Sequence, residues 1–308
     1  MSMNDEIESR GFLHQEAFLD KFEIESLRQT LASPAGHGAR RLNIDSVPRA
    51  LMEKIDATAK SCFPHHDLRP IGATRIDIHR SDSAQSEDFE WHQDHEYYFQ
   101  YRQHYHCLNF WIVLAKDDPL HSNLSIVPFD RLLAENVKLH DVAYRSGATT
   151  YGRGKVVRAV TASTMRHECD LDSLARMPSL RAGDLLLLRG DAIHRMQDPL
   201  SDCLAVSFQY IDFGHVLDRN NFYPLSLPHL KFAQNNLKDY AQKSYVFKVL
   251  KADYVSVKDF QDCLKMTTEN GASARSKEFL SFAQDYNQAI RHRLQIATLL
   301  ARNEPLRG

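Results

Sequence analysis

Cysteine is scarce in this sequence and scattered where it occurs. Cys62, Cys107, Cys169, Cys203 and Cys263 make five in 308 residues, an odd number with no CxxC pair. That pattern suggests neither a disulfide framework nor a zinc ribbon, and it fits a reducing compartment. Neither sign of charge is in excess: 38 Lys and Arg stand against 40 Asp and Glu, a net charge of −2. So balanced a chain lacks the global basic field that holds nucleic acid. Long apolar runs are missing too. None approaches the roughly 20 residues of a membrane span, and the polar, acidic N-terminus has no apolar stretch of the signal-peptide kind. The expectation is a cytoplasmic protein without nucleic-acid or membrane partners. Hydrophobic residues at 43% and charged residues at 25% are ordinary for a globular chain, which at this length forms one large domain or a domain with an appendage.

Histidine, by contrast, is plentiful at 16 residues, which directs attention to metal ligation. Two distant stretches stand out. Trp91-His92-Gln93-Asp94 sets an imidazole and a carboxylate at i and i+2, which an extended strand turns to one face. Arg181 to His194 contains Gly183-Asp184, the apolar run Leu185-Leu186-Leu187-Leu188, then Gly190-Asp191 and His194. The run reads as a strand buried on both faces, and His194 comes just beyond it. Two histidines and one carboxylate on one face of an ion are the ligand set of non-heme Fe(II) oxygenases. Zinc accepts the same donors, although its sites favour thiolates or a third histidine. Either motif alone is common in surface loops and cores. His104 and His106 form a competing His-x-His pair, set aside because His92, Asp94 and His194 already complete a triad.

The order of the motifs carries a resemblance. After the His-x-Asp come Leu108-Asn109-Phe110-Trp111-Ile112-Val113-Leu114, then Ser122-Asn123-Leu124-Ser125-Ile126-Val127-Pro128, then the Gly-Asp, leucine-run, histidine stretch. Gly11-Phe12-Leu13 with Phe18-Leu19-Asp20 and Leu27 precede them. This series resembles the phytanoyl-CoA dioxygenase-like branch of the Fe(II)/2-oxoglutarate oxygenases over Ile7 to Phe213, about two thirds of the chain.

The resemblance implies a mainly β protein with flanking helices (α+β), a double-stranded β-helix of the jelly-roll, cupin-like kind over residues 1–213. Beyond Phe213 the resemblance ends, and the apolar pattern there reads as a helical C-terminal extension, 214–308, packed on that domain and offering a lid or a homodimer surface. The resemblance implies Fe(II) held by His92, Asp94 and His194, with 2-oxoglutarate as co-substrate and O2 as oxidant. A small-molecule substrate, such as one of secondary metabolism, would be hydroxylated or otherwise oxidised. Related halogenases lack the carboxylate, so Asp94 points away from halogenation. Residues 91–101, dense in aromatics, suit a sizeable, partly apolar substrate.

One departure matters. The family carries an arginine for the far carboxylate of 2-oxoglutarate at the strand start that here reads Cys203-Leu204, and no arginine lies between Arg195 and Arg219. The alternation of Ala73 to His79 sets Arg75, Asp77 and His79 on one face of a strand. If that face looks into the jelly roll, Arg75 or Arg80 reaches the co-substrate; the plainer alternative is a solvated face. Arg189 and Arg195 are further candidates. Asn109 and Trp111 share a face of the following strand and are expected to line the interior, Asn109 as a co-substrate contact or a satisfied core amide. Arg145, Arg153, Lys155 and Arg158 suit an anionic substrate or an ordinary basic surface. Two alternatives to the 2-oxoglutarate oxygenase stay open: a metal-binding protein without turnover, and an Fe/O2 enzyme that needs no oxoacid. Residues Met1 to Glu8 are expected to fray, and Asp198 to Asp202 to form a hairpin turn.

Overall fold

The computed structural model describes residues 2–31, 38–80, 90–94, 106–145, 150–152, 156–158, 166–222, 230, 237–269 and 277–303. Residues 81–89, the 95–101 part of the aromatic stretch, His104, Arg153, Lys155, Asn270 and Gly271 lie outside these residues.

Two antiparallel sheets carry the described fold. The strands are β1 (Phe12–Gln15), β2 (Gly38–Leu42), β3 (Leu68–Ile78), β4 (Trp91–His92), β5 (Cys107–Lys116), β6 (Leu124–Val127), β7 (Thr150–Gly152), β8 (Val156–Arg158), β9 (Arg166–Glu168), β10 (Leu185–Arg189), β11 (Ile193–Met196) and β12 (Cys203–Asp212). The larger sheet runs β1-β10-β5-β12-β3-β2 and the smaller β6-β11-β4-β7, while β8 and β9 pair separately. Between the two sheets lies an apolar layer. Trp111, Val113, Leu186, Leu188, Cys203 and Ala205 enter it from the larger sheet, and Leu124, Ile126 and Met196 from the smaller.

Helices cover the outer faces. On the larger sheet these are α1 (Met3–Arg10), α2 (Lys21–Thr30) and α3 (Arg49–Cys62), whose Ile7, Leu27, Leu51 and Ile55 join Phe110, Ile112, Leu185, Leu187 and Phe208 in one cluster. On the smaller sheet α4 (Phe129–Glu135), α5 (Val137–Ala143) and α6 (Leu171–Leu174) pack Leu132, Leu139 and Leu171 against Trp91, Val127 and Ile193. The leucine run of β10 is explained by this double cover. Alternate leucines serve opposite layers, and all four are fully buried. Each such burial contributes about 1.5–3 kcal/mol.

Three sequence expectations are corrected. Residues 3–10 do not fray but form α1, started by a reciprocal capping box between Ser2 and Asp5 and anchored by fully buried Ile7. The Asp198–Asp202 segment is no hairpin turn, because β11 and β12 belong to different sheets and the chain crosses between them. On β3 it is Ile76 and Ile78 that face the inter-sheet layer. Arg75 and Asp77 face the helices, where Arg75 grips both oxygens of Asp77 at 2.8 Å and also donates to the Leu31 carbonyl closing α2. An internally neutral pair can be covered by helices, and the carbonyl end of α2 welcomes a cation.

Beyond β12 come β13 (Val216–Asp218), α7 (Leu237–Leu250), β14 (Tyr254–Ser256), α8 (Val257–Glu269) and α9 (Lys277–Asn303). Their Leu217, Tyr240, Phe247, Phe260, Tyr286 and Ile290 form a cluster that includes Cys107 and Ile211 from the larger sheet. No described helix is long and apolar enough to cross a membrane.

Gly183 ties the N-terminal segment to the turn before β10. Its carbonyl accepts from Leu19 N–H, and its own N–H donates to Val113, each at 2.8 Å. Its φ is +94°, and an added Cβ would sit 2.6 Å from the Leu19 carbonyl oxygen. Gly183→Ala is therefore expected to destabilise the protein by about 1–3 kcal/mol, read as a lowered urea midpoint with an unchanged slope.

Candidate metal centre

His92 and His194 meet because β4 and β11 pair at their Cα positions. Directly opposed residues of an antiparallel pair carry side chains on one face about 5 Å apart, and here the two ring centroids are 4.5 Å apart. Asp94 lies in a bend just past the two-residue β4 rather than on the strand itself. Its oxygens stand 3.8 Å from His92 Nε2 and 3.4 Å from His194 Nε2. One ligand atom from each of the three residues falls within 4.8 Å of the others.

Both imidazoles are set in the same tautomer. His92 Nδ1 donates to the Glu90 carbonyl at 2.7 Å and His194 Nδ1 to the Ala192 carbonyl at 2.9 Å. A carbonyl only accepts, so Nδ1 holds the proton and Nε2 turns its lone pair toward Asp94 and the other ring. Burial lowers the His194 pKa, outweighing the attraction of Asp94. The ring is thus neutral near neutral pH, the form that binds a metal. A carbonyl behind each ring is also the usual outer partner of a ligating histidine.

Asp94 is steadied from the larger sheet. Asn109 Nδ2 donates to Asp94 Oδ2 at 2.8 Å, and Ser207 donates its hydroxyl to Asn109 Oδ1. Asn109 therefore contacts the carboxylate of the donor set. Gln93 points the other way and is 3% exposed. Its amide donates to the carbonyls of Ala143 and Asp191 at 2.9 and 2.6 Å, fastening the His-x-Asp segment to the turn before His194. Only its place between His92 and Asp94 could have flagged it. Behind that turn Arg189, 2% exposed, grips both oxygens of Asp191 at 2.9 and 2.7 Å and Glu8 at 2.8 Å.

Trp111 lies in the inter-sheet layer at 5% exposure, and its indole N–H is buried without a hydrogen-bond partner among the described residues. An orphaned buried donor costs about 1–3 kcal/mol, and an acceptor group of a bound molecule would remove that cost. A 2-His-1-carboxylate set with preset tautomers fits a divalent ion, and the waiting N–H fits an oxygen-rich co-substrate.

The expected arginines are not brought here. Arg75 faces the helices, as described. Arg195 lies on the outer face of β11, over the Trp91 ring at 4.6 Å and paired with Asp172. Arg80 is exposed at the end of β3, its backbone N–H donating to Asp202. Arg145 pairs with Glu8, and the side chain of Arg158 lies outside the description. Cys203 sits buried in the inter-sheet layer, where desolvation pushes its thiol pKa up to about 11.

No known family model matches this sequence, and no curated protein matches it. Solved structures are similar over about two thirds of the chain. SnoN, a non-heme alpha ketoglutarate-dependent epimerase from nogalamycin biosynthesis, has 17% identity over 69% of this chain and 82% of its own, with a TM-score of 0.43. EvdO2 from Micromonospora carbonacea var. aurantiaca has 16% identity over 68% and 89%, TM-score 0.48. HygX from Streptomyces hygroscopicus, with iron bound, has 14% identity over 67% and 84%, TM-score 0.41. EvdO2 has also been solved with 2-oxoglutarate, SnoN with Fe3+ and alpha ketoglutarate, and HygX with nickel and 2-oxoglutarate. At these scores the likenesses assign no residue and no activity to this chain.

Titration with Ni(II) is expected to fill about one site per chain. Asn109→Ala should weaken that binding about 10- to 100-fold, measured by calorimetry; an unchanged affinity would remove Asn109 from the donor set's support.

Proposed function

We propose that this chain is a non-heme Fe(II) oxygenase of the jelly-roll, phytanoyl-CoA dioxygenase-like kind, using 2-oxoglutarate and O2 to oxidise a small molecule of secondary metabolism. The observation that carries the reading is the meeting of His92, Asp94 and His194 with both Nε2 lone pairs turned toward the carboxylate. These three would hold the ion from one side and leave the opposite side for co-substrate and oxygen. Iron bound there supplies dioxygen activation coupled to decarboxylation of the oxoacid.

The chain's own residues supply position and exclusion of water. The Glu90 and Ala192 carbonyls fix the ring planes. Asn109, itself held by Ser207, orients the Asp94 carboxylate through one of its oxygens. Trp111 offers its indole N–H to an acceptor within the apolar layer, where Ile76, Ile78, Met196 and Ala205 keep water away. Zinc is the weaker occupant, because neither a cysteine nor a third imidazole joins the donor set among the described residues.

A second reading, metal binding without turnover, draws support from Cys203 and Leu204, which stand where the family keeps its carboxylate-binding arginine. Succinate release separates the two. Purified protein with Fe(II), 2-oxoglutarate and O2 is expected to form succinate slowly without substrate, and His194→Ala to abolish it. Absence of succinate in the parent, across a panel of small-molecule substrates, would favour the binder.

A further inference from the structure

The larger sheet's register shows what the chain offers in place of the arginine missing at Cys203. Arg41 of β2 stands opposite Thr74 of β3, Thr74 opposite Ser207 of β12, and Ser207 opposite Trp111 of β5. Residues so paired form one row and share one face of a sheet. The face is the inner one: Trp111 belongs to the inter-sheet layer, and Leu42, next to Arg41, packs with the cluster on the helix side. The row reaches the metal centre, since Ser207 donates to Asn109 and Asn109 to Asp94. Neighbouring strands lie about 4.8 Å apart, so two strands separate the Arg41 and Ser207 backbones by roughly 10 Å. An extended arginine side chain covers most of that span.

Other cations near the layer are committed elsewhere. Arg75 and Arg195 face outward, and Arg189 is held by Asp191 and Glu8. Lys116, the cross-strand partner of Cys203, donates to the Ser122 carbonyl and the Asn123 side chain. Arg41 is exposed, and its guanidinium has no ion pair among the described residues.

We propose that Arg41, reaching inward along this row, anchors the far carboxylate of the co-substrate, with the Thr74 hydroxyl and the Trp111 indole N–H as neutral donors beside it. The inference rests on the oxygenase reading and adds a binding residue to it. A guanidinium meets a carboxylate through two parallel hydrogen bonds, a geometry that a lone ammonium does not match. The co-substrate would then lie across the strands, entering from the β2 edge, instead of along β12. The site would select 2-oxoacids that carry a second carboxylate.

The test uses full-length protein loaded anaerobically with Fe(II) and titrated by calorimetry. The ligands are 2-oxoglutarate and 2-oxobutanoate, which keeps the 2-oxoacid head but lacks the far carboxylate. Arg41→Ala is expected to weaken 2-oxoglutarate about 10- to 100-fold and to leave 2-oxobutanoate within twofold. Arg41→Lys should recover part of the loss. Arg40→Ala, on the helix side of the same strand, should change neither. An Arg41→Ala protein that binds 2-oxoglutarate like the parent overturns the role of Arg41 and leaves the oxygenase reading standing. Equal loss of both ligands overturns it too, since the damage is then general. A parent that binds no 2-oxoglutarate at all overturns the oxygenase reading and this inference together.

Discussion

A single backbone pairing, His92 against His194, is what the site depends on. The two residues belong to short strands of the smaller sheet, and β4 contributes only two residues to it. So brief a pairing is weak by itself. It is held from behind by apolar contact of Trp91 with Ile193 and Val127, and by the Gln93 amide spanning to Asp191. A slip of β4 by one residue would turn the His92 ring to the outer face and leave His194 without its partner. The buried Gln93 opposes that slip, because moving it would strand a polar amide in an apolar layer.

The donor set balances polarity against burial by drawing on both sheets. The smaller sheet supplies the imidazoles, and the larger sheet supplies the hydrogen bonds that orient the carboxylate, through Asn109 and Ser207 on adjacent strands. Packing of the two sheets over the layer between them is thus the same event as alignment of Asp94. Apolar neighbours keep His194 neutral, while the charges that must be buried nearby, Arg189 and Asp191, satisfy one another.

Much of this was readable in the sequence, for identifiable reasons. The leucine run at 185–188 forecast a strand buried on both faces, and the resemblance carried by the order of the motifs implied that His92, Asp94 and His194 converge, as the distances report. The face of β3 was misread because alternation marks two faces without saying which one looks inward. Arg75 looked like a solvent or pocket residue until its i+2 neighbour Asp77 proved to neutralise it beneath the helices. Arg195 was misplaced for the same reason, one residue out of phase with His194. Gln93 and Arg41 escaped notice because their meaning lies in register: Gln93 matters through carbonyls 50 and 98 positions away, and Arg41 through three successive strand pairings. No local pattern encodes either.

The ion pair joining Glu8 to Arg189 spans 181 residues. During synthesis the capped N-terminal helix leaves the ribosome long before its partner exists, and His194 emerges later still. Contacts of such sequence separation form slowly, because closing the intervening loop costs entropy before any bond rewards it. A nascent chain halted before residue 189 would hold His92 and Asp94, two of the three donors, while Glu8 waits for Arg189, a species for chaperones to shelter.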